Sequence, residues 1–202
     1  YYTYNIMKEL FFDIKNFSYI ENEDFDVTFI PMMTRRKLDK FGRAALYTIY
    51  KVYDGGGPNL VFASEYGDYE RVVKLIKQRQ EDGDVSPSGF SSSVHNACIG
   101  LFSLLEKNHA SYNSISAGDE TISLGLLESI LQGKDTIFCY AENIDELKSL
   151  SISILANANG KYKLSENNVK TNIKDSFDDL IDFLNGKTNI YTSKLFSITR
   201  CE

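Results

Sequence analysis

Apolar residues recur at helical spacing in five stretches, with short apolar runs between them. Over 36–50, Leu38, Phe41, Ala45, Leu46 and Ile49 fall on one helix face. Val72, Val73, Leu75 and Ile76 do the same over 69–79. Val94, Ala97, Cys98, Leu101, Leu104 and Leu105 predict one helix over 91–106, and its small residues Ala97, Cys98 and Gly100 permit close packing. Ile122, Leu126, Leu127 and Ile130 predict a helix over 119–131, closed by Gly133. A fifth helix covers 173–184 and ends before Gly186. Strands are expected at 6–12, 59–63, 112–116, 136–140 and 150–156, with paired strands at 189–192 and 194–199. The rest of 1–30 reads as aromatic-rich and irregular, with an acidic loop at 21–26. Residues 55–58 and 83–88 read as turns or loops. Strands alternating with helices predict an α/β fold, a mixed sheet flanked by helices. No internal repeat or low-complexity linker divides residues 1–202, so a single domain is expected.

A chain of 202 residues buries roughly 70% of its unfolded surface and needs no disulfides to hold a core. The net charge of −6 comes without a basic stripe, which excludes nucleic-acid binding through phosphate neutralisation. Cys98, Cys139 and Cys201 are odd in number and lack paired spacing, the pattern of reduced thiols in a cytosolic protein. No apolar run approaches the ~20 residues a membrane helix needs. Residues 1–10 lack a basic segment followed by an apolar core, so no signal peptide is expected. These features place the chain in the cytoplasm.

Few residues suggest site chemistry by themselves. Gly55 to Gly57 precede a strand and lack the Lys-Ser/Thr of a phosphate loop. His95 and Cys98 would share a helix face at this spacing, but two ligands do not make a zinc site. No metal or cofactor is expected.

Two stretches carry a family resemblance. The first is Arg35-Arg36-Lys37-Leu38-Asp39-Lys40-Phe41-Gly42-Arg43-Ala44-Ala45. The second runs from Pro87-Ser88-Gly89-Phe90 through Val94-His95-Asn96-Ala97-Cys98-Ile99-Gly100, with Pro, Asn and Gly in the spacing of the helix before a nucleophile strand. In this order they resemble the N-terminal half of the β-ketoacyl synthases, which have the thiolase fold. The resemblance is strongest over 30–145. Within the family, residues 29–36 and 93–96 are similar to the short, chain-length-factor-like proteins found with aryl polyene biosynthesis.

The resemblance implies a thiolase-like half, and it also exposes a departure. The family places a nucleophilic Cys at a sharp strand-to-helix turn, where helix amides lower its pKa. Counting forward from Asn96 puts Asp119 there, whereas counting back from Gly133 puts Ser116 there. The segment Ser116-Ala117-Gly118-Asp119 contains no Cys. The family's two histidines lie in a C-terminal half without counterpart in this sequence. Ser116 or Asp119 therefore reads as a helix cap, and no catalytic residue is expected.

The implied function is a non-catalytic subunit that pairs with a full-length β-ketoacyl synthase and shapes its acyl tunnel. In such a pair the partner carries the chemistry and meets the acyl carrier protein, whose acidity this acidic chain would repel. Arg35-Arg36-Lys37 could touch a carrier phosphate, though a solvated helical turn or an interface ion pair suits it better. The resemblance places the tunnel and interface at Gly89, Phe90 and Val94 and along the strand Ser111, Tyr112, Asn113, Ser114 and Ile115. Phe90 would be a tunnel stop or a core residue. Two alternatives stay open: a homodimeric scaffold or binding module, and an acyltransferase or hydrolase using Ser116.

Overall fold

The structure, a computed structural model, describes residues 9–167 and 175–201. Its elements in chain order are β1 (Leu10–Glu21), α1 (Met32–Arg35), α2 (Lys40–Val52), β2 (Asn59–Ala63), α3 (Tyr69–Asp82), α4 (Pro87–Ser93) and α5 (Ala97–Glu106). There follow β3 (Tyr112–Ile115), a 3-10 turn (Gly118–Glu120), α6 (Thr121–Leu131), β4 (Thr136–Asn143), β5 (Leu147–Ala156), β6 (Tyr162–Glu166), α7 (Phe177–Leu184), β7 (Ile190–Thr192) and β8 (Phe196–Arg200). Among the described residues the strands form one eight-stranded sheet in the order β3-β2-β4-β5-β1-β6-β8-β7. β2 is parallel to β3 and β4, and the other pairs are antiparallel. The expected mixed α/β architecture is therefore present.

Both sheet faces carry a core. Val61 and Ala63 of β2 join Phe138 of β4 under α6 and α7, whereas Leu60 and Phe62 join Ile137 and Cys139 under α2 and α5. This strict alternation follows from the two-residue period of a strand. At β5 one face of the alternation is polar. Leu150, Ile152 and Ile154 point to the α6/α7 core, so Ser149, Ser151 and Ser153 point towards α2. The serines are small enough for α2 to lie close, presenting Ala44, Ala45 and Thr48, all fully buried. The Thr48 hydroxyl lies 2.9 Å from the hydroxyls of both Ser149 and Ser151. On the other face, a Cβ at Gly125 would come within 2.8 Å of Ala63 and 2.7 Å of the Phe138 ring, so only glycine lets α6 sit this low on β2 and β4.

Four local expectations are corrected. Residues 13–20, read as irregular, belong to β1. A bulge between Ile14 and Asn16 shifts the register against β5, and the extra residue hides the alternation. Of the strand expected at 6–12, residues 6–8 lie outside the described residues. The single helix expected over 91–106 is two helices. Ser91 and Ser93 hydroxyls bond back to the Pro87 and Phe90 carbonyls, which weakens helix continuation, and Val94 is extended. His95 therefore lies in the break and does not share a helix with Cys98. The helix expected over 36–50 begins only at Lys40, because Asp39 caps it through the Gly42 amide. The helix expected over 173–184 is observed from Phe177, with 173 and 174 outside the described residues. β6 was not anticipated, and the hairpin of β7 and β8 was.

Thr48→Val would leave two buried serine hydroxyls without their common partner, at a cost of ~1–3 kcal/mol. Urea unfolding should show this loss, and adding Ser149→Ala and Ser151→Ala should recover most of it. A neutral Thr48→Val would mean that the serine network contributes nothing.

Candidate functional site

In open α/β sheets, ligands gather at the carboxyl ends of the parallel strands. Here that edge is formed by the ends of β2, β3 and β4. β3 ends at Ile115, and Ser116 and Ala117 lead into a sharp turn with Gly118 at φ 56°. The Thr121 hydroxyl accepts from the Ala117 amide and donates to the Gly118 carbonyl, tying the turn to the start of α6. This is a strand–elbow–helix arrangement, the geometry anticipated for the segment.

The elbow is not armed as a nucleophile site. Ser116 Oγ donates to the Glu65 carbonyl at 2.8 Å, so its proton goes to a peptide oxygen instead of a base. His95 Nε2 is bonded to the Ser64 carbonyl at 2.8 Å. His109 precedes β3 and so lies at the opposite end of that strand from Ser116. The capping expectation is also corrected. The cap position of α6 is Glu120, Asp119 sits within the 3-10 turn, and the Ser123 amide is bound by Asp175 Oδ2 at 2.6 Å from far along the chain. A carboxylate brought in by tertiary structure does the work assigned to a local side chain.

Asp175 and Glu142 are the site residues the sequence did not reveal. Glu142 Oε2 accepts from the Ser64 hydroxyl and the Glu65 amide at 3.1 and 2.8 Å, fastening the loop after β2. Among the described residues, its Oε1 and Asp175 Oδ1 are buried without a hydrogen-bond partner. Burial raises the pKa of both carboxyls, opposed by the hydrogen bonds each accepts. Beside them lies an open cleft of about 760 Å³ lined by Glu65, Tyr66, Tyr140, Glu142 and Lys148, among others. The only sequence signal for Glu142 was a charged residue at the end of an apolar strand. The cleft is acidic and holds no thiol or free imidazole.

Neither buried cysteine substitutes for one at the elbow. Cys98, in the first turn of α5, could be acidified by the helix amides. Burial outweighs them and pushes the thiol well above its usual range. Burial pushes Cys139, inside β4, up to about 12.

The expected interface residues lie on β3 and on α4 and the turn after it. Among the described residues β3 is an edge strand, paired only with β2. The Ser111 and Ile115 carbonyls accept from Leu60 and Ser64 of β2. In a parallel ladder, residues 112 and 114 therefore direct their amides to the open side. The helices α3 and α4 bury no residue. Gly89 lets them approach, since a Cβ there would meet Leu75 at 3.1 Å. Between them lies an apolar groove of about 500 Å³ with Val72, Leu75, Ile76 and Phe90 in its wall. Phe90 is 58% exposed and Val94 44% exposed, so Phe90 is not a core residue of this chain.

These features define a ketosynthase-type fold half with an open edge strand and an elbow that carries no thiol. Residues 14–138 match the β-ketoacyl synthase N-terminal domain, and the chain belongs to that family. No curated protein matches the sequence. Among solved structures, the chain is similar to one titled a ketosynthase (ApeO) in complex with its chain length factor (ApeC) from Xenorhabdus doucetiae. That match has a TM-score of 0.75 and 19% identity, covering 95% of this chain and 100% of the other. A chain in the complex of a type II polyketide synthase acyl-carrier protein with its ketosynthase bound to the hexaketide (AntDE:AntF) matches with a TM-score of 0.66 and 10% identity, over 81% of this chain and 70% of the other. A β-ketoacyl synthase from Burkholderia phymatum matches with a TM-score of 0.54 and 10% identity, over 71% of this chain but half of its own.

Native-state alkylation checks the thiols. Iodoacetamide should modify Cys201, which is partly exposed, well before Cys98 or Cys139, and all three once the chain is unfolded. Rapid labelling of Cys98 in the folded protein would contradict the burial argument.

Proposed function

We propose that this chain is a non-catalytic, chain-length-factor-like subunit that pairs with a full-length β-ketoacyl synthase. The observation that carries this reading is the uncovered end of the sheet. Among the described residues β3 is an edge strand with outward amides, and the helices α3 and α4 bury nothing. Unpaired edges and uncovered apolar faces are liabilities unless a partner meets them. The elbow without a thiol supports the other half of the reading. Decarboxylative condensation would belong to the partner, which would supply the Cys and His residues and receive the acyl carrier protein. This chain would contribute Gly89, Phe90 and Val94 to the acyl tunnel, and Ser111, Tyr112, Asn113, Ser114 and Ile115 to a strand-to-strand contact. The chain-length-factor complex among the structural neighbours favours this over a homodimeric scaffold.

Co-expression with a ketosynthase encoded beside this chain should give a one-to-one complex. Ser114→Pro removes an outward amide while sparing the bonds to β2, so it should sharply lower co-purification and leave the subunit folded. Asn113→Pro breaks the ladder to β2 and should destabilise the subunit itself. Undiminished pairing of Ser114→Pro would place the interface elsewhere.

Phe90→Ala tests the tunnel. Truncating a buried core Phe costs ~3–5 kcal/mol, but Phe90 is more than half exposed, so the free subunit should keep nearly its full melting temperature. In the complex, the longest product should gain carbons by mass spectrometry. Unchanged products from an intact complex would discard Phe90 as the stop.

A further inference from the structure

The chain between β1 and α2 ends in a knob that is pinned on both sides. Ile30 and Leu38, 1% and 6% exposed, anchor it in the core. Between them the backbone turns tightly: the Thr34 and Arg35 amides donate to the Pro31 carbonyl, Arg36 to Met32, Lys37 to Thr34 and Leu38 to Arg35. Two arginines from neighbouring helices hold it in place. Arg43 of α2 donates to the Arg35 carbonyl at 2.9 Å, and Arg71 of α3 donates to the Lys37 carbonyl at 3.0 Å.

This pinned knob presents apolar side chains to solvent. Its helix α1 buries no residue. Met32 is 55% exposed, Met33 66% and Phe29 49%. Phe29 lies edge-on to Tyr50, with ring centroids 5.1 Å apart, and tilted against Tyr47 at 6.5 Å. The apolar tip thus continues into two half-buried tyrosines of α2. Cations accompany it. Residues 27–38 include Arg35, Arg36 and Lys37 and no acid. The Arg36 guanidinium meets Met32 Sδ at 3.9 Å, and Lys51 Nζ stands 5.1 Å over the Tyr47 ring. The acids nearest in sequence are engaged locally: Asp26 accepts from the Thr28 amide and hydroxyl, and Asp39 from the Gly42 amide.

Long apolar side chains held out in water on a pinned backbone contribute little to the fold itself. Beside arginine, lysine and tyrosine they make a surface suited to the boundary of an anionic bilayer. Apolar tips reach the acyl region, tyrosine rings sit at headgroup level, and cations meet the phosphates. A protein partner would need a matching surface of ~800 Å² on each side. Three side chains on a four-residue helix and the turn before it form a protrusion that a fluid phase can close around. We propose that this knob docks the chain onto an anionic lipid surface, with Phe29, Met32 and Met33 inserted and Arg36, Lys37 and Lys51 on the lipid phosphates. The chain's net charge of −6 is screened beyond ~8 Å at physiological salt, so the local cations set the attraction. Glu23 and Asp24, exposed in the preceding loop, oppose it, and binding therefore needs a leaflet rich in anionic lipid. The docking belongs to the chain by itself and does not rest on the pairing proposed above.

Co-sedimentation of the full chain with vesicles tests it. The chain should bind vesicles rich in phosphatidylglycerol at low salt, ignore vesicles of phosphatidylcholine alone, and be released as salt rises. Arg36→Gln combined with Lys37→Gln should weaken binding by about tenfold or more, since each cation near an anionic surface strengthens it about fivefold. Met32→Gln combined with Met33→Gln should weaken it by about tenfold at unchanged charge. All four side chains are exposed, so both double variants should keep the wild-type melting temperature. Failure to bind the phosphatidylglycerol vesicles would overturn the proposal. So would binding that the methionine variant leaves intact, which is adsorption by charge alone. A variant that loses co-purification with an acidic protein but keeps its vesicle binding would also overturn it and assign the knob to a protein partner.

Discussion

The closeness of α2 to the sheet governs much of this fold. A helix normally stands off a sheet by the depth of two layers of side chains. Over β5 that space is occupied by serines on one side and by Ala44, Ala45 and Thr48 on the other. The serine hydroxyls would be costly there unless bonded, and Thr48 bonds two of them at once. The helix is thereby fixed in rotation as well as in height. Its fixed start puts Asp39 beside Arg71 of α3, and its buried face aligns with α5 to cover Leu60, Phe62 and Ile137.

The opposite face follows a different logic. There the aliphatic face of β5 and the Gly125 contact seat α6, and α7 extends the same core towards β8 with Phe183, Tyr191 and Phe196. The C-terminal strands and α7 thus complete a core within this chain. The β3 end has no such completion, because α3 and α4 lean on one another and on polar contacts.

At the elbow, the turn and its surroundings are held by hydrogen bonds from several elements. Its backbone turn is intact and stabilised by Thr121. The side chains around it serve structure: Ser116 ties the elbow to the β2 loop, Glu142 ties that loop to β4, and Asp175 accepts from the Ser123 amide of α6. The carboxylates that gather there make the cleft acidic, which disfavours anionic substrates.

The alternation of Leu60 to Ala63, the 3.6-residue spacing of Leu38 to Ile49, and the Gly and Pro breaks were enough to place most helices and strands, because these signals act through neighbours in the chain. The resemblance carried by residues 35–45 and 87–100 identified the family for the same reason. Where a local signal was interrupted, the reading failed: one extra residue at the β1 bulge, or two hydroxyls bonding back in α4, altered the pattern without changing the composition. The strand order, the meeting of Arg71 with Asp39, and the arrival of Glu142 and Asp175 at the elbow lay beyond the sequence. Each joins residues tens of positions apart, and burial and contact across such distances are set by packing, which no local period encodes.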